Sequence, residues 1–233
     1  MTKSIDQAPT LIGLTGANGA GKDTAANLLA GLLASYNKPC TVLAFATALY
    51  EEVSTAYAIS TNHLTNRARK EQPMHALALT YCADLNFVQA ALEHAEGDIY
   101  TPRSPRQILQ WWGTEYRRAQ QPSYWVQRLQ ARLQERLDEG FSHCVITDVR
   151  FADEAAAIRA MGGQIWRIDR PNYTPSGTGH ISEVTGQEFA PEATITNHST
   201  LDALRLQLPQ TLLRTSMKSK ERATGTEANT ATV

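Results

Sequence analysis

The chain has 233 residues, with 22 Lys and Arg against 23 Asp and Glu, and is 42% hydrophobic and 19% charged. A net charge of −1 supplies no bulk field for holding polymeric nucleic acid by counterion release, and this composition lies outside the regime of disordered chains. Cys40, Cys82 and Cys144 stand far apart with no CxxC, which argues against a disulfide framework or a zinc cluster. The opening MTKSIDQAPT lacks the apolar stretch of a secretory signal, and no apolar run reaches the roughly 18 residues of a membrane span, so the expected compartment is the cytoplasm.

In chain order, Thr10 to Thr15 (TLIGLT) is a short apolar run bounded by Pro9 and a glycine cluster, which predicts a buried parallel strand. Ala25, Leu28, Leu29, Leu32 and Leu33 then recur at steps of three and four, predicting a helix over Gly21 to Tyr36. Thr41 to Ala46 (TVLAFA) reads as a second strand, completing a parallel crossover. From about 47 to 137 the pattern is helical and broken by Asn, Pro and Gly, as in an insertion. Alternation resumes with strands over His143 to Val149, Gln164 to Ile168 and Ala193 to Thr196, and helices over Asp153 to Met161 and from about Leu201. The sum is an α/β chain with a five-stranded parallel sheet, read as a single domain over 1–215. The polar tail, 216–233, is expected to be disordered because it buries too little apolar surface to offset its ordering entropy.

Gly16-Ala17-Asn18-Gly19-Ala20-Gly21-Lys22 satisfies GxxxxGK after an apolar strand and at the start of a helix. Glycines let successive N–H groups turn toward phosphate oxygens, the helix start adds a positive dipole end, and Lys22 reaches the β and γ oxygens. Where Ser or Thr usually meets magnesium this chain has Asp23, followed by Thr24. A carboxylate there can serve a hard cation or accept a proton, Thr24 suits a phosphate or the metal, and Asp148 near a strand end is a further metal candidate.

A phosphate loop does not separate kinases from other nucleotide hydrolases. NKxD, which specifies guanine, is absent, and cations are spread over the later chain: Arg67, Lys70, Arg103, Arg106, Arg117, Arg118, Arg150, Arg167 and Arg170. Transfer between two anions needs such charges. Arg150 follows a strand end, where open α/β sheets bind ligands, and Arg106 follows Pro105 at a helix start; these two are the leading acceptor clamps. Trp111, Trp112 and Trp125 suit a core better than a base-stacking platform. Residues 171–183, rich in Pro, Gly, Ser and Thr, read as a mobile loop able to close over phosphates. The six histidines show no ligand spacing.

Together, GKDT at Gly21, FATALYEE from Phe45, R-x-x-KE-x-P at Arg67, SPRQILQWWGTEYRR from Ser104, VITDVRFADEAAAIRAMGGQIWRIDRP from Val145, HISE from His180 and TITN from Thr194 resemble the deoxynucleoside monophosphate kinase family of bacteriophages. The resemblance implies a three-layer P-loop kinase fold. It also implies transfer of the γ-phosphoryl group of ATP, with magnesium, to a deoxynucleoside 5′-monophosphate, in a host cytoplasm if the chain is phage-encoded. ATP would then lie on Gly16 to Thr24 and Arg170; the metal on Asp23, Thr24 and Asp148; the monophosphate on Arg67, Lys70, Arg106, Glu115, Arg150 and Glu154. Lys22, Asp23 and Arg150 would act in catalysis. No membrane or nucleic-acid partner is expected, and a homodimer is left open. Tyr50 stands where the family often has a basic residue (FADPLKE), which opens the question of base preference. The opening LIGLTG with GK also resembles dephospho-coenzyme A kinase, and a non-catalytic nucleotide-binding regulator is a third reading.

Overall fold

The computed structural model describes residues 10–171, 189–198 and 200–230, with side chains as far as residue 217. The chain runs β1 (Thr10–Thr15), α1 (Lys22–Ser35), β2 (Cys40–Leu43), α2 (Phe45–Ala56), α3 (Thr61–Thr65) and α4 (Leu85–Leu92). It continues through α5 (Pro105–Gln110), a π-helical stretch Trp111–Arg118, and α6 (Tyr124–Asp138). β3 (His143–Ile146), α7 (Ala152–Ala160), β4 (Gln164–Asp169), β5 (Ala193–Thr196) and α8 (Leu201–Thr230) complete it. Where the sequence suggests one domain with an insertion, the chain divides into two compact units, Met1–Leu43 with Leu133–Val233, and Ala44–Arg132.

The first unit is built on five parallel strands in the order β2-β3-β1-β4-β5. Both faces of the inner strands are covered, so β1 and β3 are continuous buried runs, while the edge strand β5 alternates buried Ala193 and Ile195 with its threonines. Ile12, Leu14, Trp166, Ile168 and Ile195 pack against Ala25, Ala26, Leu29 and Leu33 of α1 and Leu204 and Leu208 of α8. On the other face, a Cβ added at Gly13 would meet Ile158 of α7, Ile165 and Val149, each at 2.8 Å. Helices above and below a parallel sheet give the three-layer P-loop kinase fold.

The second unit has a core of its own, which is why it forms a separate body. Val53, Leu64, Leu77, Leu79, Phe87, Ile108 and Trp112 are buried. Phe87, Trp112 and Tyr116 form an aromatic cluster, with the Phe87 and Trp112 centroids 4.5 Å apart. Ser104 caps α5 with a capping box to Gln107, and Pro105 fills a first-turn position. Trp112 and Trp125 are core residues, the latter with Nε1 donating to Gly113 O at 2.9 Å.

Three expectations are corrected. β2 ends at Leu43, not Ala46, because its partner β3 leaves the sheet: Thr147 N–H donates to Leu43 O, and Ala44 then caps α2. β3 stops at Ile146, not Val149, although Val149 N–H still bonds Leu14 O. The segment from Ser216, expected to be a disordered tail, continues α8 to Thr230; extending an existing helix avoids the cost of nucleation, and Lys, Glu, Arg and Ala favour it. The expected mobile loop over 171–183 lies almost wholly outside the described residues. Among those described, no helix is long and apolar enough to cross a membrane.

Candidate active site

The loop between β1 and α1 is shaped by its glycines. A Cβ at Gly16 (φ +137°) would stand 2.2 Å from Ile168 O, so the loop lies directly on the backbone of β4. Gly21 is the N-cap of α1 in a left-handed conformation, φ +102°, with no side-chain cap. Ala20 N–H closes a turn onto Ala17 O, and the first intrahelical bond runs from Ala25 N–H to Gly21 O. Helix starts leave their first N–H groups without intrahelical acceptors, at the positive end of the dipole.

Four loop carbonyls accept bonds from side chains. Lys22 Nζ folds back to donate to Gly16 O (2.7 Å) and Ala17 O (2.9 Å), which holds the ammonium over the loop. Arg170, just past β4, donates from Nη1 to Gly19 O (3.2 Å), and Asn197, just past β5, donates from Nδ2 to Ala20 O (2.8 Å). Arg170 is therefore held against the loop itself. Asn197 was missed as a site residue; its one sequence signal was its place at the end of TITN.

At the same end of the sheet, Val149 between Asp148 and Arg150 is bonded to Leu14, the penultimate residue of β1. Glu154, 3% exposed, turns its Oε2 to the N–H groups of Arg150 (2.8 Å) and Phe151 (3.2 Å) at the start of α7. It holds the backbone of Arg150 in place, a positioning role beside the acceptor role expected for it. Asp23 and Thr24 are exposed on the first turn of α1, and Asp148 is half-buried. Among the described residues no three His, Cys, Asp or Glu side chains cluster as a metal cage. Two carboxylates and a hydroxyl fit magnesium, which is commonly held by few protein ligands together with phosphate oxygens and water.

In the helical unit, the structure brings Tyr50, Lys70, Glu71 and Arg106 together. Arg106 forms an ion pair with Glu71, and its N–H donates to Lys70 O at 3.0 Å. Lys70 Nζ lies over the Tyr50 ring, 5.8 Å from its centroid, so the aromatic residue at this position supports a cation. Arg67 is exposed, and Glu115 is half-buried on the π-helical stretch. Arg103 is buried, its Nη2 on the carbonyls of Glu96 (2.5 Å) and Asp98 (3.4 Å) and its guanidinium over Trp111.

A second network in this unit centres on Glu52, which accepts from Trp112 Nε1 (2.9 Å), Arg117 Nε (2.9 Å) and Tyr124 Oη (2.6 Å). Asp84 caps α4 through Phe87 N–H and accepts from Tyr116 Oη at 3.0 Å. Burial and then the bond to Glu52 push the Tyr124 hydroxyl pKa up; burial and then the bond to Asp84 do the same for Tyr116. Burial lowers the Arg117 pKa, but Glu52, with Tyr124 and Tyr116, together raise it above its ordinary value, so it stays charged. These pairs fix the π-helical turn that carries Glu115.

Two solved structures of Mycobacterium tuberculosis APS kinase CysC are similar to this chain. A cysteine-to-alanine mutant is 14% identical, with 88% of this chain and 97% of that chain covered at a TM-score of 0.38. A complex with AMPPNP and APS is 13% identical, with 88% and 98% covered at 0.39. No curated protein sequence matches. The model of the family "Deoxynucleotide monophosphate kinase" matches residues 55–208, which take in the capped α5, the π-helical stretch, β3 to β5 and the start of α8. The chain belongs to the deoxynucleotide monophosphate kinase family and is a nucleotide kinase.

Proposed function

We propose that the protein transfers the γ-phosphoryl group of ATP to a deoxynucleoside 5′-monophosphate, yielding ADP and the diphosphate. The observation that carries this reading is the Lys22 ammonium held over a glycine loop at a helix start, in a chain whose residues 55–208 match the family. The loop lies outside that match, so the two supports are independent.

Lys22 and the N–H groups of the loop and first turn of α1 hold the β- and γ-phosphates. Asp23, Thr24 and Asp148 would hold magnesium, which when bound offsets charge on the phosphate oxygens. Arg150 and Arg106, with Lys70 and Arg67, take the acceptor phosphate, and Glu115 orients it. Glu154 acts through Arg150, and Arg170 acts on ATP through the loop. An oxygen of the monophosphate attacks the γ-phosphorus, the bond to the β-bridging oxygen breaks, and ADP leaves with that electron pair. The attacking phosphate oxygen is already anionic, so the residues position and neutralise more than they move protons. Both partners are small molecules of the cytoplasm, and a homodimer is compatible with the reaction.

A coupled ADP-release assay over the four dNMPs, a coenzyme A precursor and no acceptor tests this. We expect dNMP-dependent turnover, and a loss of about 100-fold or more in Lys22→Ala with the fold retained. Turnover only with the coenzyme A precursor, or ATP binding with no turnover, refutes it.

A further inference from the structure

We infer that Asn197 is a positioning residue for the nucleotide loop, acting through the peptide between Ala20 and Gly21. The inference rests on the reading of that loop as the ATP site. β4 and β5 pair through Asp169 and Thr196, and Asn197 N–H extends the ladder to Asp169 O at 2.7 Å. Its backbone is thereby tied to the sheet, and its side chain spans 177 positions of sequence to reach Ala20 O. The contact is close on both sides, since a Cβ at Gly21 would stand 2.6 Å from Asn197 Nδ2.

The consequence follows from peptide planarity. No peptide bond among the described residues is cis, and in a trans peptide the N–H points opposite to the C=O. Turning Ala20 C=O toward Asn197 therefore turns Gly21 N–H away from β5. Gly21 has no side chain to cap α1, so the orientation of this peptide is imposed by Asn197. Arg170 does the same one residue earlier, at Gly19 O, from the neighbouring strand end.

Asparagine suits this place for a chemical reason. A carbonyl only accepts, so the side chain must present a donor, and it must be short enough to lie against Gly21 Cα. Aspartate has the same length and shape but presents only acceptors, setting a negative charge against the carbonyl oxygen.

The test compares wild type, Lys22→Ala, Asn197→Ala, Asn197→Asp, Gly21→Ala and the Gly21→Ala/Asn197→Ala double variant by ATP binding and steady-state kinetics. We expect Asn197→Ala to raise the Kd and KM for ATP about 5- to 10-fold while the monophosphate KM changes less than twofold. Asn197→Asp should do more harm than Asn197→Ala, despite being closer in shape. Gly21→Ala should weaken ATP binding by a smaller factor in the Asn197→Ala background than in wild type, because the facing amide is gone. Equal rises in both KM values, or Asp and Ala variants that match, would overturn the inference in favour of a general structural role. Unchanged ATP affinity in Asn197→Ala, with Lys22→Ala impaired as expected, would overturn this inference alone. Wild-type affinity for ATP in Lys22→Ala would overturn the reading of the site as well.

Discussion

Glu154 offers a quantitative test of how the end of β3 is organised. Its Oε2 accepts from the N–H groups of Arg150 and Phe151, and the residue is 3% exposed. Glu154→Ala leaves two N–H groups at the start of α7 without that acceptor and removes a negative charge from the positive end of the α7 dipole. A bond to a charged acceptor contributes roughly 1.5–3 kcal/mol, and the two share one oxygen, so their loss is less than additive; with the dipole contribution the cost is about 3 kcal/mol. At roughly 2–4 °C per kcal/mol for a chain of this size, the melting midpoint should fall by about 6–12 °C. Glu154→Gln keeps a carbonyl oxygen where both bonds converge and loses only the charge, so about 1 kcal/mol and about 2–4 °C are expected. Calorimetry gives both midpoints. Because Glu154 holds Arg150, monophosphate KM should rise in the same order, Ala above Gln, with ATP KM little changed. Equal midpoints for the two variants would refute the capping argument. A full rise in monophosphate KM in Glu154→Gln with an unmoved midpoint would show instead that the carboxylate charge acts on the acceptor directly.

Two further outcomes follow from single contacts. The Arg106 side chain is 15% exposed and Glu71 59%, so their pair is screened and contributes about 0.2–1 kcal/mol; Glu71→Gln should lower the monophosphate KM by up to about fivefold, and an unchanged or higher KM would remove Arg106 from the acceptor site. Burial, then the charge of Lys38, lowers the His143 pKa below its ordinary 6.5, so the stability it supports is present above that value and lost as pH falls through it; melting midpoints from pH 7.5 to 5 should fall more steeply in wild type than in His143→Gln, and parallel curves would refute this.

The sheet was legible because its signals are local. Five apolar runs between turn residues mark five strands, and a glycine run ending in lysine after the first marks the loop, all within stretches a few residues long. What failed was also local in cause. TVLAFA is continuous in hydrophobicity, but where β2 ends depends on where β3 departs, which lies about a hundred residues onward in the sequence. Asn197 was illegible for the same reason: it lies 177 positions from Ala20, and an Asn after a strand has no signature of its own. Glu71 and Glu52 likewise meet their arginines across 35 and 65 positions.

Charge counting could identify the cations but not their resting partners, and those partners differ in a way that matters for phosphate. Lys22 and Arg170 are held by backbone carbonyls, which accept hydrogen bonds without cancelling positive charge. Lys70 lies over the Tyr50 ring, whose face attracts a cation without an opposing charge of its own. Arg106 forms an ion pair with Glu71, so an incoming phosphate must displace that carboxylate. The loop carbonyls orient Lys22 and Arg170, whereas the Arg106 clamp gains its full positive charge only as Glu71 is released. The affinity for nucleotide donor should therefore depend on how well the loop is held, through Asn197 and Arg170, and the affinity for monophosphate on how readily Glu71 lets go.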